Sequence, residues 1–288
     1  METVRCAICD SDRYEKTMTS MDIWVSRERF DIVRCKDCGF VFTNPRPAFH
    51  EIARYYGNEY YAYQKPAMAF HQTQKNGKRF LDYGCGAGEF MILKMNEGYE
   101  VYGVDIDAAA IGIAKDAGLN VRQAQPGRID FEDNFFDEIR LNHVLEHIHE
   151  LGSIVAELFR CLKPGGMLTL EVPNIASFDA KINRAAWRGL EVPRNLYHFS
   201  PDSCLALLKA NGFGEIAYRT YNHPVFHKQL YYLKGCYTSI KIACHLKTGF
   251  PLWRVLRAVV TGAVNICRYS LHHKTEDDGW LLSVCATK

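Results

Sequence analysis

Three glycines at alternate positions, Gly84, Gly86 and Gly88, interrupt the chain directly after a short apolar run. A helical pattern follows the loop and ends at Gly98. Because glycine has no Cβ atom, such a loop lets the backbone come close to a ligand at the point where a strand turns into a helix. The spacing therefore predicts a pocket for a nucleotide-type cofactor.

The residue after the last loop glycine bears on the kind of cofactor. Dinucleotide-binding loops carry G-x-G-x-x-G and place a pyrophosphate on the helix N-terminus. Here Glu89 occupies the position of the third glycine. A carboxylate there would repel a pyrophosphate but not a ligand with a positive centre. The glycines alone leave one alternative open, a glycine-rich turn of some other α/β unit.

Further motifs follow in order between about residue 80 and about residue 212. The acidic residue Asp82 followed by G-x-G-x-G resembles motif I of the class I S-adenosylmethionine (SAM) methyltransferases, and residues 141–147 and 162–166 resemble two later segments of that family. The resemblance implies an α/β fold with a Rossmann-like, seven-stranded sheet. It also implies SAM as the cofactor and methyl transfer as the reaction.

The same resemblance assigns roles at the cofactor pocket. Asp82 would lie near the methionine end of SAM, and Asp105 would accept hydrogen bonds from both ribose hydroxyls. The implied cofactor-binding residues are Asp82, Gly84, Cys85, Gly86, Gly88, Asp105, Ile106, Asn142 and His143.

The cofactor-binding residues need strands and helices to position them, and the spacing of apolar residues predicts several of these elements. The expected elements are a third strand at 119–121, a helix capped by Ser153 and ended by 163–166, a helix begun by Ser200 and Pro201 and ended by Gly212, and strands six and seven near 216–218 and 280–284.

Two cysteine pairs stand near the N-terminus. Cys6 and Cys9 form the first C-x2-C pair, and Cys35 and Cys38 form the second. Four thiolates so spaced can close tetrahedrally on Zn²⁺ and leave no open position for catalysis. We expect a structural zinc ribbon at residues 1–45, with a β-hairpin between the two pairs. Unligated core cysteines are the alternative.

Length and composition agree with an intracellular enzyme of this kind. With 288 residues and 48% hydrophobic content, the chain can bury a full core and still carry a small extra domain. The first residues are charged and contain a cysteine pair, so no signal peptide is expected. Eleven cysteines in an α/β chain indicate free thiols and a reducing compartment, with the cytoplasm as the expected location.

Changes in composition along the chain indicate its domain organisation. Residues 46–76 form an expected aromatic helical linker, whose tyrosines could stack bases or pack the ribbon onto the next domain. Packing is favoured, because residues 1–79 hold 13 basic against 10 acidic residues, only a small positive excess. Residues 77–288 form the SAM-dependent domain, with insertions at 174–200 as a substrate cover and at 221–276 as a basic helical insertion.

The first insertion contains the expected acceptor segment. Residues 187–199 resemble the W-x-G-x-x-x-PRH-L-x-H-F segment of a bacterial subgroup that joins this domain to an N-terminal zinc ribbon. That subgroup is often associated with surface polysaccharide or glycolipid pathways. Asn195 stands where the subgroup has its first histidine, which weakens any proton shuttle there.

Transfer to a hydroxyl requires a base that takes its proton. The candidates are His198 first, then Glu146, His143 and Tyr197. The alternatives are that Glu146 or His147 only caps the turn after strand four and that His198 is a structural histidine.

The second insertion has an unusual charge. Between Ile216 and Thr275 there are nine basic residues and no acidic one, which indicates an anionic partner. The ten uncharged residues 258–267 are too few for a membrane span. The segment fits a helix lying on the anionic inner membrane face, an ordinary helical insertion, or a surface for a sugar-nucleotide or lipid-linked acceptor.

Three functions fit these observations. The first is methyl transfer to oxygen or carbon of a small-molecule, glycan or lipid-linked acceptor. The second is a zinc-ribbon rRNA methyltransferase, which is disfavoured because the positive excess lies far from the ribbon, so that nucleic acid is an unlikely partner. The third is a non-catalytic scaffold with the SAM-binding fold, which is disfavoured because the glycines and Asp105 are intact.

Overall fold

The computed structural model describes residues 1–56, 74–222 and 279–288, and these residues form two compact units. We name the first the hairpin unit and the second the Rossmann unit. Of the described residues, the hairpin unit contains Met1–Tyr55, Pro173–Ser203, 219–222 and 279–282; the Rossmann unit contains Tyr56, 74–172, Cys204–Tyr218 and Ser283–Lys288.

The described residues form eleven strands and five α-helices. The strands are β1 (Tyr14–Met21), β2 (Arg29–Cys35), β3 (Val41–Thr43), β4 (Arg79–Tyr83), β5 (Glu100–Asp105), β6 (Val121–Gln123), β7 (Phe136–Asn142), β8 (Leu162–Pro173), β9 (Tyr197–His198), β10 (Gly214–Tyr221) and β11 (Leu281–Thr287). The helices are α1 (Glu89–Asn96), α2 (Ala108–Asp116), α3 (Leu151–Cys161), α4 (Phe178–Asn183) and α5 (Pro201–Ala210).

The predicted seven-stranded, Rossmann-like sheet is confirmed. Its order is β10-β11-β8-β7-β4-β5-β6, and strands β4 to β8 pair in parallel. Strands of a parallel sheet are covered on both faces and therefore read as apolar runs. Phe80, Leu81, Ile139 and Leu141 illustrate this, since each is at most 1% exposed.

The register of this sheet places the carboxyl ends of β4, β5, β7 and β8 side by side. Tyr83 pairs with Val104 on one side and with Leu141 on the other, and Asn142 pairs with Glu171. The residues that follow β4, β5 and β7 therefore start from one edge of the sheet, where open α/β folds bind ligands.

The hairpin unit contains a second, four-stranded sheet of order β1-β2-β3-β9. The pairings β1/β2, β2/β3 and β3/β9 are all antiparallel. Strands β1 and β2 form the hairpin expected between the cysteine pairs. The fourth strand, Tyr197–His198, comes from a distant part of the sequence, and it joins this sheet through Val41 and Phe42.

Some expected element boundaries were wrong. Ser153 does not cap a helix, because α3 already begins at Leu151, which continues the buried stripe of Ile154, Val155 and Leu158. The helix ends at Cys161, and residues 163–166 belong to β8, since Leu162 pairs with Phe136 in the ladder.

The third strand also lies further along the chain than expected. It runs over Val121–Gln123, because the N–H of Leu119 still donates to Ala114 O at the end of α2. Strands β10 and β11 contain the residues predicted for strands six and seven, except for Trp280, which precedes β11.

Two expected features fall mostly outside the described residues. The basic insertion at 221–276 is described only at Tyr221 and Asn222, and the linker at 46–76 only up to residue 56 and from residue 74. Tyr55 is fully buried and contacts Phe30 edge-to-face at 5.6 Å. Within the described ranges, no helix combines the length and apolar character needed to span a bilayer.

Candidate functional site

The glycine loop joins β4 to α1, and Gly84, Gly86 and Gly88 all have a positive φ. Gly84 has φ 87°, and a Cβ atom there would overlap the side chain of Val144. Gly86 has φ 51°, and a Cβ there would meet no atom within 4 Å. The Val144 side chain thus fills the space beside Gly84, whereas the space beside Gly86 is free of atoms from the described residues. An open, Cβ-free backbone is the kind of surface that a cofactor can lie against.

Asp105, at the end of β5, holds this loop. Its Oδ2 accepts the Gly86 N–H at 2.7 Å, and its Oδ1 accepts the Asp107 N–H at 2.9 Å. Burial raises the pKa of the Asp105 carboxyl, although these two backbone donors act in the opposite direction. Because a carboxylate offers about four lone-pair sites, these backbone donors leave acceptor capacity for ligand hydroxyls. Ile106, the next residue, is 57% exposed.

Asp82 is paired within the sheet. It lies opposite Arg140 in the β4/β7 ladder, and Arg140 Nη1 donates to Asp82 Oδ1 at 3.0 Å. Asp82 is 2% exposed, and burial raises its pKa to about 6 despite the guanidinium beside it. The same guanidinium lies 3.7 Å from the ring centroid of Phe90. Sequence analysis did not identify Arg140, although an arginine between the apolar residues Ile139 and Leu141 was a signal that it has a buried partner.

His143 follows β7 and lies between two carboxylates. Its Nδ1 is 3.3 Å from Glu146 Oε1 and its Nε2 is 3.5 Å from Glu171 Oε1. The backbone is fixed as well, since the His143 N–H donates to Glu171 O at 2.9 Å and its φ of 54° is rare for a side chain with a Cβ. Glu171, which comes from the neighbouring strand β8, was not predicted.

The charge state of this cluster follows from its geometry. Burial alone would lower the pKa of His143, but the hydrogen bonds and negative charges of Glu146 and Glu171 outweigh it and raise the pKa to about 10. His143 is therefore an imidazolium at neutral pH and acts as a donor. Glu146 is 1% exposed, and its Oε2 has no hydrogen-bond partner among the residues that the structure describes.

The other two catalytic candidates, Tyr197 and His198, belong to the hairpin unit. Tyr197 OH accepts a hydrogen bond from Arg46 Nη1 at 2.8 Å. His198 Nε2 is 3.2 Å from Thr43 Oγ1, and burial lowers the pKa of His198 to about 3, so its imidazole is neutral. The structure thus brings His143 together with Glu146, and Tyr197 together with His198, in separate units.

The four predicted metal ligands converge. The sulfur atoms of Cys6, Cys9, Cys35 and Cys38 all lie within 4.8 Å of one another. The Cys6–Cys38 and Cys9–Cys35 sulfur atoms are 3.4 and 3.5 Å apart. Four thiolates around Zn²⁺ at about 2.3 Å would have sulfur atoms about 3.8 Å apart, so the cluster has the dimensions of a tetrahedral site.

Comparison with known proteins adds to this geometry. Residues 55–217 match the family described as a methyltransferase domain. A malonyl-[acyl-carrier protein] O-methyltransferase of Erwinia billingiae is 29% identical over 143 residues, which are 48% of this chain and 55% of that protein. A ubiquinone biosynthesis O-methyltransferase of Pseudomonas fluorescens is 30% identical over 105 residues, 34% of this chain and 45% of that protein.

The chain thus spans about half the length of the curated relatives that it matches. Among solved structures, a SAM-dependent methyltransferase from Archaeoglobus fulgidus is 18% identical, with a TM-score of 0.50 over 74% of this chain and 87% of that one. At this identity the likeness concerns the fold alone.

Proposed function

The chain belongs to the methyltransferase-domain family, and from this premise we propose that it transfers the methyl group of SAM to a small-molecule or carrier-linked acceptor. The matched residues 55–217 contain most of the Rossmann unit, including the glycine loop and Asp105. The observation that carries the proposal is the loop at 84–88, in which Asp105 fixes the Gly86 N–H while the space beside Gly86 stays open.

The residues present fit SAM as the cofactor. Asp105 keeps lone pairs for the two ribose hydroxyls, the loop backbone from Gly84 to Gly88 presents no side chain bulk at Gly86, and Asn142 ends the adjacent strand β7. When bound, SAM supplies a methyl group on a sulfonium, which is already an activated donor. The protein then has to align donor and acceptor, which can lower the barrier by about 7–11 kcal/mol.

Glu146 is the proton acceptor that the cluster geometry favours. Its Oε1 holds the His143 imidazolium, and its buried Oε2 is left to receive a hydrogen bond from the acceptor's hydroxyl. His143 cannot act as a base while it is protonated. His198 stays a candidate from the sequence, but its buried, neutral ring with a pKa of about 3 is a weak proton acceptor.

The experiment that tests this function has two parts. Calorimetry would measure SAM binding to the wild type and to Asp105→Asn, with Asp116→Asn in the last turn of α2 as the matched control. Labelled SAM and fractionated cell extract would then show which fraction receives the methyl group. We expect binding that Asp105→Asn weakens at least tenfold. Absence of SAM binding to the wild type would contradict the proposal and favour a scaffold.

A second variant tests the base. Glu146→Gln should lower turnover at saturating substrate by about 10²–10⁴-fold while the dissociation constant for SAM stays unchanged. His198→Ala, assayed in parallel, distinguishes the two candidates. Unchanged turnover in Glu146→Gln would overturn this assignment.

We also propose that Cys6, Cys9, Cys35 and Cys38 hold a structural Zn²⁺. All four are thiols of one cluster, two buried and two exposed, and a four-thiolate set is typical of closed zinc sites. Elemental analysis of the purified protein should find one zinc per chain.

The acceptor is the least specified part of the function. Both curated relatives named above are O-methyltransferases by name, one of them for an acyl-carrier-linked substrate, which supports oxygen as the methylated atom. Transfer to carbon, and to sugar-nucleotide or lipid-linked acceptors, stays within the proposal. The acid-free stretch between Ile216 and Thr275 supports peripheral contact with anionic membranes. Flotation with anionic vesicles at low salt would test it.

A further inference from the structure

Three polar atoms from one segment of the hairpin unit have no hydrogen-bond partner among the described residues. They are Trp187 Nε1, Asn195 Oδ1 and His198 Nδ1, and their residues are only 2–3% exposed. A buried donor or acceptor without a partner costs about 1–3 kcal/mol, so native proteins keep few of them. Three such atoms within residues 187–198 indicate that their partners come from a bound molecule.

The role of His198 Nδ1 follows from Thr43. The Thr43 hydroxyl donates its single hydrogen to Asn195 O at 3.1 Å. Toward His198 Nε2, at 3.2 Å, the same oxygen can therefore only accept. The proton of the neutral imidazole thus lies on Nε2, and Nδ1 carries a lone pair. Burial supports the neutral form, because it lowers the pKa of His198 to about 3.

The roles of the other two atoms are fixed by Gly189. Asn195 Nδ2 donates to Gly189 O at 3.0 Å, which orients the amide so that Oδ1 is its acceptor end. Gly189 lies directly against the indole of Trp187, where a Cβ would overlap the ring carbons Cζ2, Cη2 and Cε2. Nε1 is bonded to Cε2, and it is a donor only. Asn195 thus connects the three residues into one cluster, because its side chain contacts Gly189 beside Trp187 and its backbone carbonyl contacts Thr43 beside His198.

The cluster offers two acceptors and one donor, without a free charge. The buried guanidiniums of the unit already have carboxylate partners, Arg194 with Asp22 and Arg46 with Glu2. An anion would place its lone pairs against those of Asn195 Oδ1 and His198 Nδ1. A pair of adjacent hydroxyls donates twice and accepts once without cost. The Trp187 and Trp280 rings, 6.1 Å apart at 78°, add an apolar wall.

We propose that Trp187, Asn195 and His198 form a binding site for an uncharged ligand with adjacent hydroxyl groups. The three atoms are covered in this structure, so entry of the ligand requires the segment to rearrange. The site lies in the segment that the sequence predicts for the acceptor, but its test does not depend on methyl transfer, because every contact described for it lies in the hairpin unit.

The test begins with the wild-type protein and nitrogen-15 NMR of its histidine rings. We expect the His198 ring in the Nε2–H form. Addition of methyl glucoside, the neutral hydroxylated probe, should shift the His198 Nδ1 and Trp187 Nε1–H resonances, whereas inorganic phosphate should shift neither. Asn195→Leu and Trp187→Phe should each weaken glucoside binding about tenfold, the effect of one lost hydrogen bond. Asn211→Leu, outside the segment, is the control.

Three results would overturn the site. They are an Nδ1–H form of His198 in the free protein, equal responses to phosphate and glucoside, and no response to saturating glucoside, which would mean that ordered water alone fills the cluster. SAM affinity measured on the same samples separates this proposal from methyl transfer. Glucoside binding without SAM binding would support the site and contradict the proposed function.

Discussion

Arg194 and Asp22 form an ion pair inside the hairpin unit, with Nη1 and Nη2 each 3.3 Å from Asp22 Oδ1 and side chains 3% and 0% exposed. Asp22 also accepts the backbone N–H of Trp24 and Ser26, and Arg194 donates to Tyr55 O at 2.7 Å. Burial alone would raise the pKa of Asp22, but the Ser26 N–H and the guanidinium outweigh it and lower the pKa. The pair therefore ties the β1–β2 turn to the segment that contains β9.

Removing one partner of this pair should destabilise the protein strongly. Arg194→Met leaves the Asp22 carboxylate buried without its cation, and we expect a loss of about 3–5 kcal/mol in the free energy of unfolding, measured in urea. Arg13→Met is the control, because Arg13 pairs with Asp37 at the surface. The double variant Asp22→Asn/Arg194→Met should lose less than the sum of the single variants. Strict additivity would show that the two side chains do not interact.

Gly84→Ala should impair the cofactor loop. The new methyl group overlaps Val144 at a φ of 87°, so we expect a cost of about 1–3 kcal/mol and at least tenfold weaker SAM binding by calorimetry. Val144→Ala in the same chain should restore part of the affinity. Gly112→Ala is the control, since Gly112 lies within α2 and a Cβ there meets nothing within 4 Å. Equal affinities of Gly84→Ala and wild type would refute this account of the loop.

His143 should make stability depend on alkaline pH. Its pKa is raised from 6.5 to about 10 in the folded chain, so its contribution is fully present below about pH 6.5 and is lost as the pH rises through 10. The free energy of unfolding should therefore fall between these values, and His143→Gln should remove that part of the slope. NMR titration of the His143 ring checks the assignment, and a midpoint near 6.5 would contradict it.

Removal of metal from the cysteine cluster should unfold the hairpin unit while SAM binding persists. A strong zinc chelator should release one zinc and lower the amide protection of β2 and β9. Cys9→Ser should have the same effect, because it removes one of four ligands. Cys285→Ser, an exposed thiol outside the cluster, serves as control. Full amide protection after confirmed zinc loss would argue against a structural role for the metal.

The features that the sequence predicted well are local. The glycines at 84–88 and the two cysteine pairs each have a spacing that constrains the backbone directly, and Asp105 closes a strand that the apolar pattern identifies. The features that it missed are set by strand order and register. Asp82 meets Arg140 only because β4 pairs with β7, and His143 meets Glu171 only because β7 pairs with β8.

His198 is a second residue whose contacts could not be predicted from the local sequence. Its ring type and its position in a recognised segment predicted a base. His198 stays a candidate base, but its contacts come from a distant part of the chain: Nε2 lies 3.2 Å from Oγ1 of Thr43, 155 positions away in the sequence, and burial lowers the pKa of His198 to about 3. No local pattern specifies which strand β9 joins, because a two-residue strand has no periodicity to read.

The pairing of β9 with β3 also limits how this chain can be divided. Residues 1–45 look like a module that could be excised or grafted onto another protein. Their sheet is completed by Tyr197–His198, and their interior by Arg194. Truncation before residue 46 would leave β9 with an open edge and Arg194 without the Asp22 carboxylate. Residues 1–45 and the segment Pro173–Ser203 must therefore be engineered as a single piece.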